Sequence, residues 1–340
     1  MSAMRSAPLV TVALPVYNSV ATLPETLDSV RRQTLADWEL VVVCNGCSDG
    51  SEAVARAAAG QDSRIRVETL ERANVVAAAN RATELARAPL LARIDADDVM
   101  PPRRLEMQRA AMDAHAEWSA CTGQVVHDGD KHGGMQRHVD WLNSLRTPDD
   151  IANQRFVESP VANPSAMIRT EVLRSFGGFG WGDYAEDYDM WLRLLGAGHR
   201  VGRVDAQVLV WRDLPSRLTR TDGRYGVDAM RWLKHRHLMQ GPLKNGARTC
   251  RIWGSGPYGK RHAKGLVAMG ARVDAFIDID PRKIGGAAAG GIPVMGPEAL
   301  GCADERLMLV AVATLGARQQ VMKRLDEAGY RQGRDYLPVQ

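Results

Sequence analysis

Leu90-Leu91-Ala92-Arg93-Ile94-Asp95-Ala96-Asp97-Asp98 is a short apolar run that ends in three carboxylates within four residues. The apolar part predicts a buried strand at Leu90–Ile94, with the acids directly beyond its end. Upstream, apolar segments predict further strands at 9–14 (LVTVAL), 38–44 and 65–70. Helical sequence separates them. The first helix carries Leu23, Leu27 and Val30 on one face and opens with Thr22-Leu23-Pro24-Glu25, the pattern of a capping box with proline in the first turn. Ala-rich helical sequence follows the second strand to about Ala59 and recurs over residues 74–87. Strands alternating with helices predict an α/β domain, a mostly parallel sheet with helices on both faces. Ligands bind such sheets beyond the carboxyl ends of the strands. Asn18, Asn45–Asp49 and Asp95–Asp98 all fall there.

Without a counter-charge, Asp95, Asp97 and Asp98 repel one another and raise one another's pKa. A divalent cation relieves that repulsion, and hard oxygen ligands suit Mg²⁺ or Mn²⁺. Asp95 and Asp97 share a side of an extended chain, so both reach one ligand. One or two carboxylates completed by phosphate oxygens is the usual Mg²⁺ arrangement. The plainer alternative is that Asp97 or Asp98 caps a helix beginning at Pro101-Pro102.

The 340 residues predict two domains, at 1–227 and 249–340, joined by a connector at 228–248. A composition of 45% hydrophobic and 25% charged residues fits a globular chain, and a formal charge of +4 is too small to imply a nucleic-acid partner. The N-terminus lacks the pattern of a signal peptide, and no run approaches the about eighteen apolar residues that span a bilayer. Five scattered cysteines argue against a disulfide framework, so a reducing cytoplasm is expected, and Cys44 and Cys47 read as ordinary thiols. Residues 127–155, with His127, His132 and His138, read as a solvated loop or lid rather than a metal cluster. The basic stretch with Arg231, Lys234 and Arg236 reads as a solvated face, with peripheral contact to a membrane surface as its alternative.

Five short motifs in a fixed order carry a resemblance. They are Pro15-Val16-Tyr17-Asn18 after strand one, Asn45-Gly46-Cys47-Ser48-Asp49-Gly50-Ser51 after strand two, Asn80-Arg81 in the next helix, Asp95-Ala96-Asp97-Asp98, and Ala185-Glu186-Asp187-Tyr188-Asp189-Met190-Trp191. Over roughly residues 8–215 the chain resembles the family 2 glycosyltransferases, inverting enzymes of the glycosyltransferase-A fold. The resemblance implies a nucleotide-sugar donor held by Pro15, Val16, Tyr17, Asn18, Asn45, Asp49, Asn80, Arg81, Asp95 and Ala96. It implies a Mn²⁺ or Mg²⁺ ion on Asp97 and Asp95, with Asp97 the more direct ligand, and Asp187 as catalytic base. Glu186 and Trp181 would lie on the acceptor side, Trp181 within the glycine-rich stretch Gly177–Gly182, read as a flexible loop. Asn45 stands where the family often has aspartate, but its carbonyl supplies the acceptor that uracil N3–H needs, so a UDP-sugar is expected. Asn163-Pro164 stands where relatives often have His-Pro. The Gln-x-x-Arg-Trp signature of processive synthases is absent, which favours transfer of single sugars. The acceptor implied is a glycan, lipid-linked or protein-linked, used in surface polysaccharide or glycoconjugate biosynthesis at the inner face of a membrane.

Toward the C-terminus, Gly254-Ser255-Gly256-Pro257-Tyr258-Gly259 lies between a strand at 249–253 and a helix, the context of a dinucleotide fingerprint. A strand at Arg272–Ile277 ends in Asp278, about twenty residues on, where a ribose-binding acid would sit. Further strands are expected at Ile292–Met295 and Leu307–Val312. Gly254, Gly256, Gly259 and Asp278 are thus a candidate second nucleotide site, with a docking module bearing an inherited glycine turn as the alternative. The segment is also similar to the Rossmann-like N-terminal domain of bacterial sugar O-acyltransferases, through Phe276-Ile277-Asp278-Ile279-Asp280-Pro281-Arg282-Lys283. Three other functions compete: a sugar nucleotidyltransferase, which would need a Gly-rich phosphate loop where Pro15-Val16-Tyr17-Asn18 stands; an NAD-linked oxidoreductase, resting on residues 254–280 alone; and a non-catalytic nucleotide-sugar-binding protein. Glycosyl transfer accounts for more of the acids.

Overall fold

The computed structural model describes residues 7–215 and 217–340, in two compact units. The first comprises the chain up to Pro148 with Val161–Gly182 and Glu186–Arg220; the second comprises Asp149–Pro160, Asp183–Ala185 and Thr221–Gln340. The expected connector is mainly the helix Val227–Gln240, and it belongs to the second unit.

The first unit is built on a seven-stranded sheet: β1 (Val10–Val16), β2 (Trp38–Asn45), β3 (Ile65–Leu70), β4 (Leu90–Arg93), β5 (Trp118–Asp128), β6 (Met167–Arg169) and β7 (Arg200–Arg212), in the order β3-β2-β1-β4-β6-β5-β7. Only β6 runs against its neighbours. β1 and β2 are apolar almost throughout because helices cover both faces of the sheet, and Val10, Val12, Leu14, Leu40 and Val42 are fully buried. Each such side chain contributes roughly 1.5–3 kcal/mol. Leu23, Leu27 and Val30 of the helix Leu23–Arg31 seal one face, as their spacing predicts.

The order of strands reverses at β1, flanked by β2 and β4, and the loops after β1 and β4 open there. The capping box expected at Thr22–Glu25 does not form. The Thr22 hydroxyl donates instead to the carbonyl of Ala96 at 2.9 Å, tying the helix start to the acidic turn, and Glu25 pairs with Arg212. Residues 127–155 are not a loop either. His127 lies buried near the end of β5, and a helix at Gly134–Ser144 buries Val139 and Leu142.

The second unit has a six-stranded sheet: β8 (Cys250–Trp253), β9 (Val273–Ile277), β10 (Ala287–Ala288), β11 (Ile292–Met295), β12 (Leu307–Val310) and β13 (Tyr336–Pro338), ordered β10-β11-β9-β8-β12-β13. All but β10 are parallel to their neighbours. The basic face expected on the helix Val227–Gln240 is not one. Lys234 is buried and donates to the carbonyl of Val157 at 2.6 Å, burial drawing its pKa down to about 8. His235 is buried against His262 at 2.9 Å, and the Arg236 guanidinium lies over the rings of Tyr184 and Trp232. No helix among the described residues is long and apolar enough to cross a membrane.

Candidate active site

Two loops at the carboxyl ends of β1 and β2 are laced into one wall. Asn18, held at a φ of 45°, accepts the Ser48 backbone N–H at 2.8 Å. Asp49 accepts the backbone N–H groups of Val20 at 2.9 Å and Ser51 at 3.0 Å, and the Ser51 hydroxyl at 2.6 Å. Burial pushes Asp49 up, but these donors outweigh it and hold its carboxyl below the usual range. The hydroxyl of Ser51 in turn accepts from Ser19 N–H at 2.8 Å. Pro15 and Val16 end β1, and Tyr17 is exposed on the wall. Asn45 is buried, and its carbonyl accepts the Asn74 N–H at 2.7 Å, joining the wall to the helix Val75–Leu85.

Beside this wall stands the acidic turn. Asp98 is 1% exposed; one carboxylate oxygen accepts the Arg212 backbone N–H at 3.0 Å and the other has no hydrogen-bond partner. Burial, then repulsion from Asp97 and Asp95, raises its pKa well above the ordinary value. Asp97 is raised for the same two kinds of reason, burial and then Asp95, with Arg217 and Arg212 opposing. Arg212 comes within reach because Val99 pairs with Val210 of β7 through two backbone hydrogen bonds, 3.1 and 2.9 Å. Asp95 is half exposed and takes a hydrogen bond from Arg93 at 2.9 Å.

Asp187 joins this cluster from the first turn of the helix Glu186–Gly196. Burial raises its pKa to about 7, with Glu186 and Asp95 adding to the effect; the Tyr188 N–H, accepted at 2.7 Å, and Arg93 oppose it. A carboxyl that is half ionised near neutrality, next to an acidic turn, has the property required of a general base. Glu186 is buried and Trp181 is 63% exposed.

Two other expected residues, Asn80 and Arg81, make contacts within the protein. Both ends of the Asn80 amide bind the backbone of Phe179, at 3.0 and 2.8 Å, so this side chain anchors a loop. Arg81 pairs with Glu68 at 2.8 Å and Glu84 at 3.2 Å. The first half of the glycine-rich loop is anchored by Asn80. Gly177 and Gly178 adopt φ of 72° and 70° to end the helix Thr170–Ser175, and Arg193 donates to the carbonyls of Phe176 and Gly178 at 2.8 and 2.7 Å. A Cβ on Gly178 would lie 2.3 Å from Asn80 Oδ1.

Two buried arginines that no sequence motif indicated lie against the acidic turn. Arg93 is 4% exposed, reaches Asp95, lies 5.9 Å from the Phe179 ring, and keeps Nε and Nη1 without partners. Its charge acts on both Asp95 and Asp187. Arg104, fully buried, donates to the carbonyls of Arg93 and Pro164 at 2.8 Å each and so fixes the strand end beneath the acids. Asn163, in the segment next to Pro164, is buried with its side-chain oxygen unpartnered.

No group of three or more His, Cys, Asp or Glu side chains among the described residues is placed to hold a metal by itself. The donor set still suits a cation completed by a ligand's oxygens. Asp97 and Asp98 are held protonation-prone by burial and mutual repulsion, and Asp98 keeps an orphaned buried oxygen.

Residues 11–177 match the family model described as glycosyl transferase family 2. The first unit is a family 2 glycosyltransferase domain. Its relatives include the O-antigen biosynthesis glycosyltransferase WbnJ of Escherichia coli, 26% identical over 56% of this chain and 74% of that protein. The amylovoran biosynthesis glycosyltransferase AmsE of Erwinia amylovora is 29% identical over 57% of this chain and 72% of that protein. Among solved structures, S. aureus TarS 1-349 in complex with UDP-GlcNAc superposes with a TM-score of 0.55 at 15% identity, over 76% of this chain and 72% of that one. The glycosyltransferase-A fold is thus the fold of this domain.

In the second unit of this glycosyltransferase, Gly254 (φ 106°) and Gly259 form a tight turn into the helix Pro257–Ala268; a Cβ on Gly259 would meet the Gly254 carbonyl at 1.8 Å. Gly256 is the N-cap, with open space around it. Asp278 is committed to the turn itself: it accepts Ser255 N–H at 2.9 Å, the Ser255 hydroxyl, Asp280 N–H at 3.0 Å and the Lys283 ammonium at 3.2 Å. Burial pushes it up, but these donors prevail and draw it down to about 2. A carboxylate offers about four acceptor sites. Four protein donors leave Asp278 little with which to hold a ribose.

Proposed function

We propose that the protein is a metal-dependent, inverting glycosyltransferase that moves a single sugar from a UDP-sugar to an acceptor hydroxyl in surface polysaccharide or glycoconjugate biosynthesis. The observation that carries this reading is Asp187, a buried carboxyl poised near neutrality beside the Asp95–Asp98 turn at the switch point of the sheet. Asp187 takes the proton of the acceptor hydroxyl as its oxygen attacks the anomeric carbon. The bond from that carbon to the diphosphate breaks, the configuration inverts, and the nucleoside diphosphate leaves with the bonding pair. Asp187 then returns its proton to solvent.

The wall of residues 15–18 and 45–51 would hold nucleoside and ribose, with Asn18 and Asp49 fixing its shape. Asp97, with Asp95, would hold Mn²⁺ or Mg²⁺, which when bound supplies Lewis-acid stabilisation of the departing diphosphate. Arg93 holds Asp95 and lowers Asp187, keeping the base ionisable at neutral pH. Glu186 and Trp181 would stand on the acceptor side. Support for a surface glycan comes from relatives named for O-antigen and amylovoran biosynthesis.

Thermal unfolding of the protein with UDP, GDP, CDP or TDP, with and without Mn²⁺, tests the reading. A ligand that binds only the native state must raise the transition. Stabilisation by UDP that requires Mn²⁺ and is lost in Asp97→Ala supports it. In the same assay with NAD added in place of these nucleotides, stabilisation by NAD alone, indifferent to metal, would overturn it in favour of a function seated in the second unit.

A further inference from the structure

The second sheet carries a feature that glycosyl transfer does not use. Its four adjacent parallel strands β9, β8, β12 and β13 are each preceded, within two residues, by an arginine: Arg272, Arg248, Arg306 and Arg334. Because the strands are parallel, all four arginines lie along the amino-terminal edge, the end opposite the Gly254–Gly259 turn. Strands are spaced about 4.8 Å apart, so the row extends over roughly 15 Å. These residues, with Lys244, Thr249 and Glu305, line a cavity of about 640 Å³. That volume lies within the range of small-molecule sites.

Part of this charge is spent on the fold. Arg306 pairs with Asp274 and Asp304, and Arg334 pairs with Asp335 at 2.8 Å. Arg248 donates to the carbonyls of Glu305 and Arg334 at 2.7 and 2.9 Å, stapling the turns that enter β12 and β13. Arg248 also acts on the Asp335 carboxylate, but Lys244 and Arg272 have no carboxylate partner among the described residues, and Glu305 is the only acid on the lining. Lys244 and Arg272 are exposed into solvent. Like charges gathered in a concavity raise its potential and repel one another until an anion enters. Guanidinium forks suit phosphate oxygens in particular.

We propose that this cavity binds a ligand carrying clustered phosphates, either a soluble diphosphate ester or the phosphate headgroups of an anionic lipid. The row is longer than one phosphate needs, and its two exposed, unpaired cations, Lys244 and Arg272, are free to meet a second phosphate. The site lies wholly within the second unit and does not depend on the proposed transfer reaction.

The test uses the full chain in metal-free buffer, where the donor site lacks its cation. One arm titrates inorganic pyrophosphate calorimetrically; the other floats the protein with vesicles of phosphatidylglycerol in phosphatidylcholine, against phosphatidylcholine alone. Wild type is compared with Lys244→Glu/Arg272→Glu, both exposed, and with Arg103→Glu/Lys323→Glu, which changes net charge equally elsewhere. Binding in at least one arm that weakens by at least about tenfold in the cavity variant and is unchanged in the control supports the proposal. Binding of pyrophosphate alone assigns a soluble ligand, and binding of vesicles alone assigns a headgroup. Absence of binding in both arms, or an equal loss in the charge-matched control, overturns it.

Discussion

Each unit places aspartates at the carboxyl ends of parallel strands, beside the strand where the sheet order reverses, and the two sites treat their acids in opposite ways. Around Asp278 the chain supplies four donors and the carboxyl sits at about 2. Around Asp97, Asp98 and Asp187 it supplies burial and further negative charge, and the carboxyls rise, Asp187 to about 7. Topology alone therefore does not identify a chemical site. A satisfied acid stabilises the fold, whereas acids held against their own ionisation store a demand that a proton, a cation or a substrate must meet.

The sharpest way to break this contrast is at Asp187. Asp187→Asn is expected to lower transfer by about 10³-fold while leaving affinity for the nucleoside diphosphate nearly intact. It should also change stability with a definite sign. The folded pKa is raised, so the wild-type contribution is present below the unfolded value near 4 and lost as pH rises through 7. The variant should therefore melt above wild type at pH 8, and the gain should vanish near pH 4. Full transfer activity would refute the base assignment; a lower melting temperature at pH 8 would refute the raised pKa.

Asp97→Ala tests the cation. Transfer should fall roughly 10²-fold, and the part of the UDP-induced rise in melting temperature that depends on Mn²⁺ should disappear. If UDP stabilises the variant as fully as wild type, Asp97 does not hold the metal.

A smaller effect is expected at Arg93. Lysine keeps the charge but not the fork that Arg93 offers to Asp95. In Arg93→Lys the rising limb of the pH–rate profile should move upward, with about a tenfold loss at pH 6.5 that is largely recovered at pH 8.5. A loss independent of pH would mean that Arg93 only holds the strand end in place.

The residues differ in how far sequence alone disclosed them. The acidic turn was legible because carboxylates crowded at a strand end are visible without any tertiary contact. Asp187 was legible only through its resemblance, since acids in a first helical turn are also ordinary dipole partners. Arg212 was not legible, because its backbone reaches Asp98 from 114 residues away. The anchoring of Asn80 was not legible for a related reason: Phe179, to which it binds, is 99 residues distant. The capping box failed when a tertiary acceptor, the Ala96 carbonyl, took the Thr22 hydroxyl. The helix at Gly134–Ser144 escaped notice because only Val139 and Leu142 mark its buried face amid polar neighbours. β13 was missed because three residues ending in proline carry little strand signal.

Asp278→Asn closes the comparison from the satisfied side. An asparagine must place an N–H₂ group where one carboxylate oxygen now accepts, so either the Ser255 or the Asp280 donors lose a partner. The expected cost is about 1–3 kcal/mol of stability, read as a lower melting temperature at pH 7. Transfer activity should be unchanged below the new transition. Here the sign of the pH dependence reverses relative to Asp187. The folded pKa lies below the unfolded value, so the contribution is full above about pH 4 and shrinks as pH falls toward 2. The deficit of Asp278→Asn should accordingly be constant from pH 8 to pH 5 and narrow below pH 4. A deficit that instead grows on acidification would show that Asp278 is no better satisfied than Asp187, and the distinction between the two sites would fall with it.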